Sequence, residues 1–146
     1  NEQFADAFIN QERTQCLRFF HIKITNNHFE KPALNCYAYI ESIKNLSNNE
    51  NLPIRTVELK WEGYTLPNAM IAPKSCRTFD AFWVPHQNPS HIGFNQFTDS
   101  SVFIPNLNAL GKYEIVYLII SENFKPIKIK TYLEIGNKLD DIKYFS

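Results

Sequence analysis

His86, His91 and Asp99 fall in one stretch, 85–100, that follows no periodic pattern. Two imidazoles and a carboxylate are donor types that hold a divalent metal or form a small polar catalytic cluster. Their spacing in irregular chain matches no ligand pattern, so solvated loop histidines and no metal are expected. Asp80, between Phe79 and Ala81, is a carboxylate on an alternating run. Glycoside chemistry needs a second carboxylate at a set distance, and none is evident. A serine or cysteine nucleophile needs a sharp turn with a base converging on it. Glycine occurs only at 63, 93, 111 and 136, which leaves no GxSxG, no GxGxxG and no P-loop. Cys16, Cys36 and Cys76 are odd in number and form no CxxC pair. Each lies in or beside a β-type run and is expected as a small buried hydrophobe with a free thiol. His21 alternates with core residues and is expected half-buried and hydrogen-bonded; His28 belongs to a turn. No catalytic residue and no cofactor is assigned, and the chain is read as not an enzyme.

Aromatic residues give a more positive signal. Tyr37, Tyr39, Trp61, Tyr64, Trp83, Phe94 and Phe97 exceed what one small core must bury. Flat exposed rings stack on sugars and anchor protein interfaces. The candidate binding residues are therefore Trp83, His86, His91, Phe94 and Phe97 of the long loop and its approach, with Tyr37 and Tyr39 on a half-wet strand face. The loop itself, 85–100, is expected to be the most mobile internal segment, since connections this long are often functional.

The chain has 146 residues, 44% hydrophobic and 14% aromatic, enough for one packed domain. Fifteen basic residues balance fifteen acidic ones. That balance gives no support to a nucleic-acid partner, which calls for a clustered basic surface. No apolar run approaches the roughly 18 residues of a membrane span. The chain opens on Asn1, as expected of a piece cut from a longer protein. The sequon Asn45-Leu46-Ser47 in a polar loop is a chance-level motif and says nothing about secretion.

The elements that must position these residues are short strands. In 110–120, Tyr113, Ile115, Tyr117 and Ile119 share one face and Val116, Leu118 and Ile120 the other, which predicts a central strand. In 127–135, Ile127, Ile129, Leu133 and Ile135 alternate with Lys128, Lys130, Tyr132 and Glu134, with turn residues 121–126 between the two strands. Further strands are expected at 16–25, 33–43, 54–61, 77–84 and 102–104. Leu34, Cys36, Ala38 and Ile40 should share a face, as should Val57, Leu59 and Trp61. Both faces of 77–84 carry aromatics. Phe4, Ala7 and Phe8 are spaced for one helical face, which predicts a short helix or linker end over 1–15. The sandwich domain is expected over 16–136, followed by a tail, 137–146, that docks through Leu139, Ile142, Tyr144 and Phe145.

Seven short strands with turn signals and no long helix predict an all-β, antiparallel, immunoglobulin-like sandwich. Leu110-Gly111-Lys112-Tyr113 at a strand start looks like a tyrosine corner, in which the Tyr113 hydroxyl bonds the connection from 105 to 111. The chain resembles an uncharacterised family of bacterial and archaeal immunoglobulin-like modules. The residues carrying the likeness are Phe20–Asn26, Ala33–Ala38, Leu59–Trp61, Ile71–Pro73, Phe79–Val84, Gly111–Tyr113 and Asn123–Pro126. The resemblance implies a module of a larger protein, often beside an N-terminal membrane anchor, and assigns no functional residue. The expected role is a non-catalytic binding or structural module with a protein or glycan ligand. The alternatives are a carbohydrate-binding module using exposed aromatics and a small hydrolase built around His86, His91 and Asp99.

Overall fold

The structure, a computed structural model, describes residues 4–56, 58–94, 107 and 110–146. In chain order the described residues form β1 Phe4–Phe8, β2 Cys16–Asn26, β3 Ala33–Asn45, β4 Glu50–Asn51, β5 Ala69–Ile71, β6 Ser75–Pro85, β7 Gly111–Ile120, β8 Ile127–Ile135 and β9 Lys143–Phe145. The fold is all-β, with antiparallel sheets in two layers. One sheet runs β1-β2-β6; the other runs β4-β3-β7-β8-β9, with β5 also on β3. No helix among the described residues is long and apolar enough to cross a membrane.

β7 lies between β3 and β8, where its two apolar faces suit it. Tyr113, Ile115, Tyr117 and Ile119 point into the core, and Val116, Leu118 and Ile120 are half-buried on the outer face. Facing them across the core are Phe20, Ile24, Phe79, Ala81, Phe82 and Val84. Rings interlock through the middle. Phe20 stacks on Phe82 at 4.5 Å, and Phe79 touches both Trp61 and Tyr117 at 5.5 and 5.6 Å.

Three bulges alter the expected faces. Between Phe20 and His21 the register against β6 shifts by one, so Ala81 is the extra residue. A bulge switches which side chains point inward. Phe79 and Ala81 are inward before it and Phe82 and Val84 after it, which is how β6 carries aromatics on both faces. In β3 a second shift falls at Glu41, and a third between Ala33 and Cys36. Asn35, at φ 49, takes the left-handed turn of the third. As a result Ala33 and Cys36 are buried while Leu34 faces solvent, contrary to the alternation that placed Leu34 with Cys36.

Two other expectations are corrected. No helix forms near the N-terminus: Phe4–Phe8 is an edge strand paired residue for residue with β2. Phe4 packs on Phe20 and under Arg18, and Asp6 pairs with Arg18, so cross-strand contacts override the helical spacing. The stretch around 54–61 is not one strand. Glu58 bridges Tyr39 in one sheet and Trp61 bridges Phe79 in the other, so the chain crosses between layers within a few residues. Leu59 and Trp61 are buried there as expected; Val57, like the strand expected at 102–104, lies outside the described residues.

The C-terminal residues form a 3-10 turn, Leu139–Asp141, and then β9 on β8. β9 delivers Tyr144 between the sheets, edge-on to Phe82 at 4.8 Å and to Phe20 at 6.1 Å. Its hydroxyl is buried beside the hydroxyls of Tyr117 and Thr131, which donate to the Ala81 and Ile115 carbonyls.

Candidate functional site

Tyr144 fills the middle of the sandwich, but the end where β2 and β7 finish is open. Two turns border it. Asn26 ends β2 and is itself buried. Its Nδ2 donates to the carbonyls of Lys31, at 2.7 Å, and Ile71, at 3.0 Å, while its Oδ1 accepts from the His28 N–H. His28 Nδ1 accepts from the backbone N–H groups of Glu30 and Lys31. The turn is thus organised around two side chains that replace missing backbone partners. On the other side, Asn123 of the β7–β8 turn accepts from Leu34 N–H and donates to Pro32 C=O, as a strand neighbour would. Glu122 N–H adds a bond to Leu34 C=O, and Glu122 Oε2 accepts from Asn35 Nδ2 at 2.6 Å.

Between these turns lies a pocket of about 470 Å³, within the roughly 300–1,000 Å³ of small-molecule sites. Ile24 to His28 form one wall, and Ile119, Ile120, Phe124 and Ile127 the other. Buried Ala33, Cys36 and Ile71 line its inner part. Burial pushes the Cys36 thiol pKa up, with a small opposing effect of its bond to the Ile71 backbone, so this thiol is a packing group. The lining includes Lys125 and no carboxylate.

The residues singled out from sequence do not converge there. Phe94 is buried in the core. Trp83 is half-buried on the outer face of β6, 6.2 Å from the His91 ring. It exchanges two backbone hydrogen bonds with Gly93, and its ring covers the place where a Cβ on Gly93 would stand. His86 lies by the N-terminal end of β2, where its Nε2 is 3.0 Å from Asp6 Oδ1 and 3.5 Å from Cys16 Sγ. Asp6 also takes two hydrogen bonds from Arg18, which chiefly hold its pKa down. Tyr37 and Tyr39 are on the outer face of the other sheet, with ring centroids 6.1 Å apart and planes 17° from parallel. Burial, then the nearby Glu58, raises the Tyr39 pKa. Phe97 and Asp99 lie outside the described residues, as does most of the connection expected to meet the Tyr113 hydroxyl. Tyr113 is buried. His21 Nδ1 meets Asp80 Oδ1 at 2.9 Å on the outer face of β2–β6.

One of these clusters, Cys16, His86 and Asp6, bears on catalysis. In a Cys–His–Asp relay one imidazole nitrogen faces the nucleophile and the other the carboxylate. Here Cys16 and Asp6 both face Nε2 of His86, so the arrangement is a hydrogen-bonded cluster at a strand end. No group of His, Cys, Asp and Glu suited to hold a metal occurs among the described residues. The pocket was not foreseen from sequence. Its lining comes from 24–36, 71 and 119–127, which no local pattern joins. The asparagines at 26 and 123 were legible only as turn formers.

No protein-family model, no curated protein and no solved structure matches the chain.

Proposed function

We propose that the chain is an immunoglobulin-like, non-catalytic binding module whose ligand places an apolar group in the pocket between Ile24 and Ile127. The observation that carries the site is an apolar hollow of about 470 Å³ with both bordering turns tied down by side-chain hydrogen bonds. Apolar surface withheld from packing in this way is available for a ligand to bury. The sheet order supports the immunoglobulin-like part. β1-β2-β6 facing β3-β7-β8 has the arrangement of strands A-B-E against C-F-G, and buried Tyr113 opens the strand equivalent to F.

A neutral naphthylamine dye that fluoresces in apolar surroundings tests the site. The parent should bind it at one site. Ala33→Phe, which fills the pocket, and Ile127→Gln, which wets its wall, should each remove most of the signal while keeping the β-type circular dichroism. Undiminished binding by both folded variants would refute the assignment.

A second reading rests on the paired, nearly parallel rings of Tyr37 and Tyr39, beside a hollow lined by Asn35, Ile120 and Glu122. Aromatic faces next to amide and carboxylate groups suit a glycan. Retention on a glycan array that Tyr37→Ala and Tyr39→Ala both abolish, with dye binding intact, would favour it over the pocket.

A further inference from the structure

Resting on the pocket assignment above, we infer that its ligand is a single-chain amphiphile with an anionic head: an aliphatic carboxylate whose chain enters between the sheets and whose head stays at the rim by Lys125 and His28. The apolar part follows from the lining of Ile24, Ala33, Ile71, Ile119 and Ile127. The sign of the head follows from three observations. No carboxylate lines the pocket, although the chain as a whole is as acidic as it is basic. Lys125 lines the pocket and has no ion-pair partner among the described residues, whereas Lys128 and Lys130 of the adjoining strand are paired with Glu41 and Glu114. His28 has its tautomer fixed. Nδ1 accepts two backbone N–H groups, so the ring hydrogen is on Nε2 and the imidazole offers a donor. A rim with an unpaired cation and a fixed donor, and with no carboxylate in the lining, complements an anion and disfavours a cation.

Competition against the dye with hexanoate, octanoate and decanoate, then with decanol and decyltrimethylammonium, tests chain and head separately. Each added methylene that enters the pocket should tighten binding by roughly fourfold, from the transfer free energy of one CH₂. Decanoate should bind about tenfold tighter than decanol, as expected of one charge-assisted hydrogen bond. Lys125→Gln should remove most of that preference. Added salt should weaken decanoate and leave decanol unchanged. If decanol or the ammonium binds as tightly as decanoate, the inference about the head is overturned and the apolar pocket stands. If no alkyl ligand displaces the dye, or affinity does not change with chain length, the pocket assignment falls with it.

Discussion

Asn26→Ala removes the side chain on which the pocket's first wall depends. In the parent, Nδ2 faces two carbonyl oxygens and Oδ1 faces an N–H, so the amide orientation is forced by its neighbours. The bond to Ile71 C=O is fully buried, and its loss leaves a buried acceptor unpaired, a cost of about 1–3 kcal/mol. The other two are part-buried and contribute about 0.5–1.5 kcal/mol each. A total of about 4 kcal/mol is expected, which for a chain of this size lowers Tm by roughly 8–16 °C. Asn26→Asp sharpens the comparison. It keeps the acceptor for His28 N–H but turns a donor toward two carbonyls into an oxygen, so at neutral pH it should be less stable than Ala. Urea unfolding followed by the fluorescence of Trp61 and Trp83 measures both. A loss under about 1 kcal/mol for Ala, or an Asp variant more stable than the Ala variant, would refute this account of the turn.

Gly93→Ala places a methyl 2.0 Å from the Trp83 ring, and should cost about 1–3 kcal/mol in urea unfolding, as overpacking does; unchanged stability would mean the ring moves aside freely. Burial pushes the Tyr144 pKa up to about 12 and that of Tyr117 well above its ordinary value. In the unfolded chain both ionise near pH ~10. Their contribution is therefore complete below pH ~10 and is lost as pH rises toward ~12, by up to about 1.4 kcal/mol per pH unit for each group. Urea unfolding at pH 9, 10 and 11 checks this, and flat stability above pH 10 would contradict it. The cysteines are free, and a thiol reagent should modify half-buried Cys16 and Cys76 well before buried Cys36; Cys36 reacting first would place it outside the core.

The long inner strands were legible in the sequence, and their irregularities and the short edge strands were not. Two apolar faces in Gly111–Ile120 predicted a central strand, and the alternation in Ile127–Ile135 its half-wet partner, because a period of two is the direct trace of burying one face. Bulges leave a weaker mark. Aromatics on both faces of 77–84 were the visible sign of the extra residue at Ala81, and Asn35 at a left-handed position was the sign of the shift that turned Leu34 outward. β1 left no sign at all. An edge strand with all five residues exposed has no buried face to impose a period, so the chance spacing of Phe4, Ala7 and Phe8 read as helix. The candidate site was hidden for a different reason. The roles of Asn26 and Asn123 depend on partners at Ile71, Pro32 and Leu34. Such pairings exist only once the sheets have formed.

The open end is best understood against the filled middle. There, β9 supplies one aromatic side chain that touches both sheets, and the space between them closes. At the open end the residues for closure are at hand. Ile127 is 46% exposed beside Ile24 and Phe124, so apolar surface goes unburied where a small inward movement of either turn would bury it. What opposes that movement is the set of hydrogen bonds from Asn26, Asn123 and Glu122, each of which ties a turn to β3, its approach or β5 instead of to the opposite wall. Collapse would break these bonds in order to bury the exposed lining. Holding apolar walls apart at the expense of stability is the arrangement that lowers the ordering cost of a ligand. Two of the side chains that tie these turns down, Asn26 and Asn123, are asparagines. Each presents a donor and an acceptor together, so one side chain can replace a backbone neighbour without adding charge beside the rim where Lys125 and His28 lie.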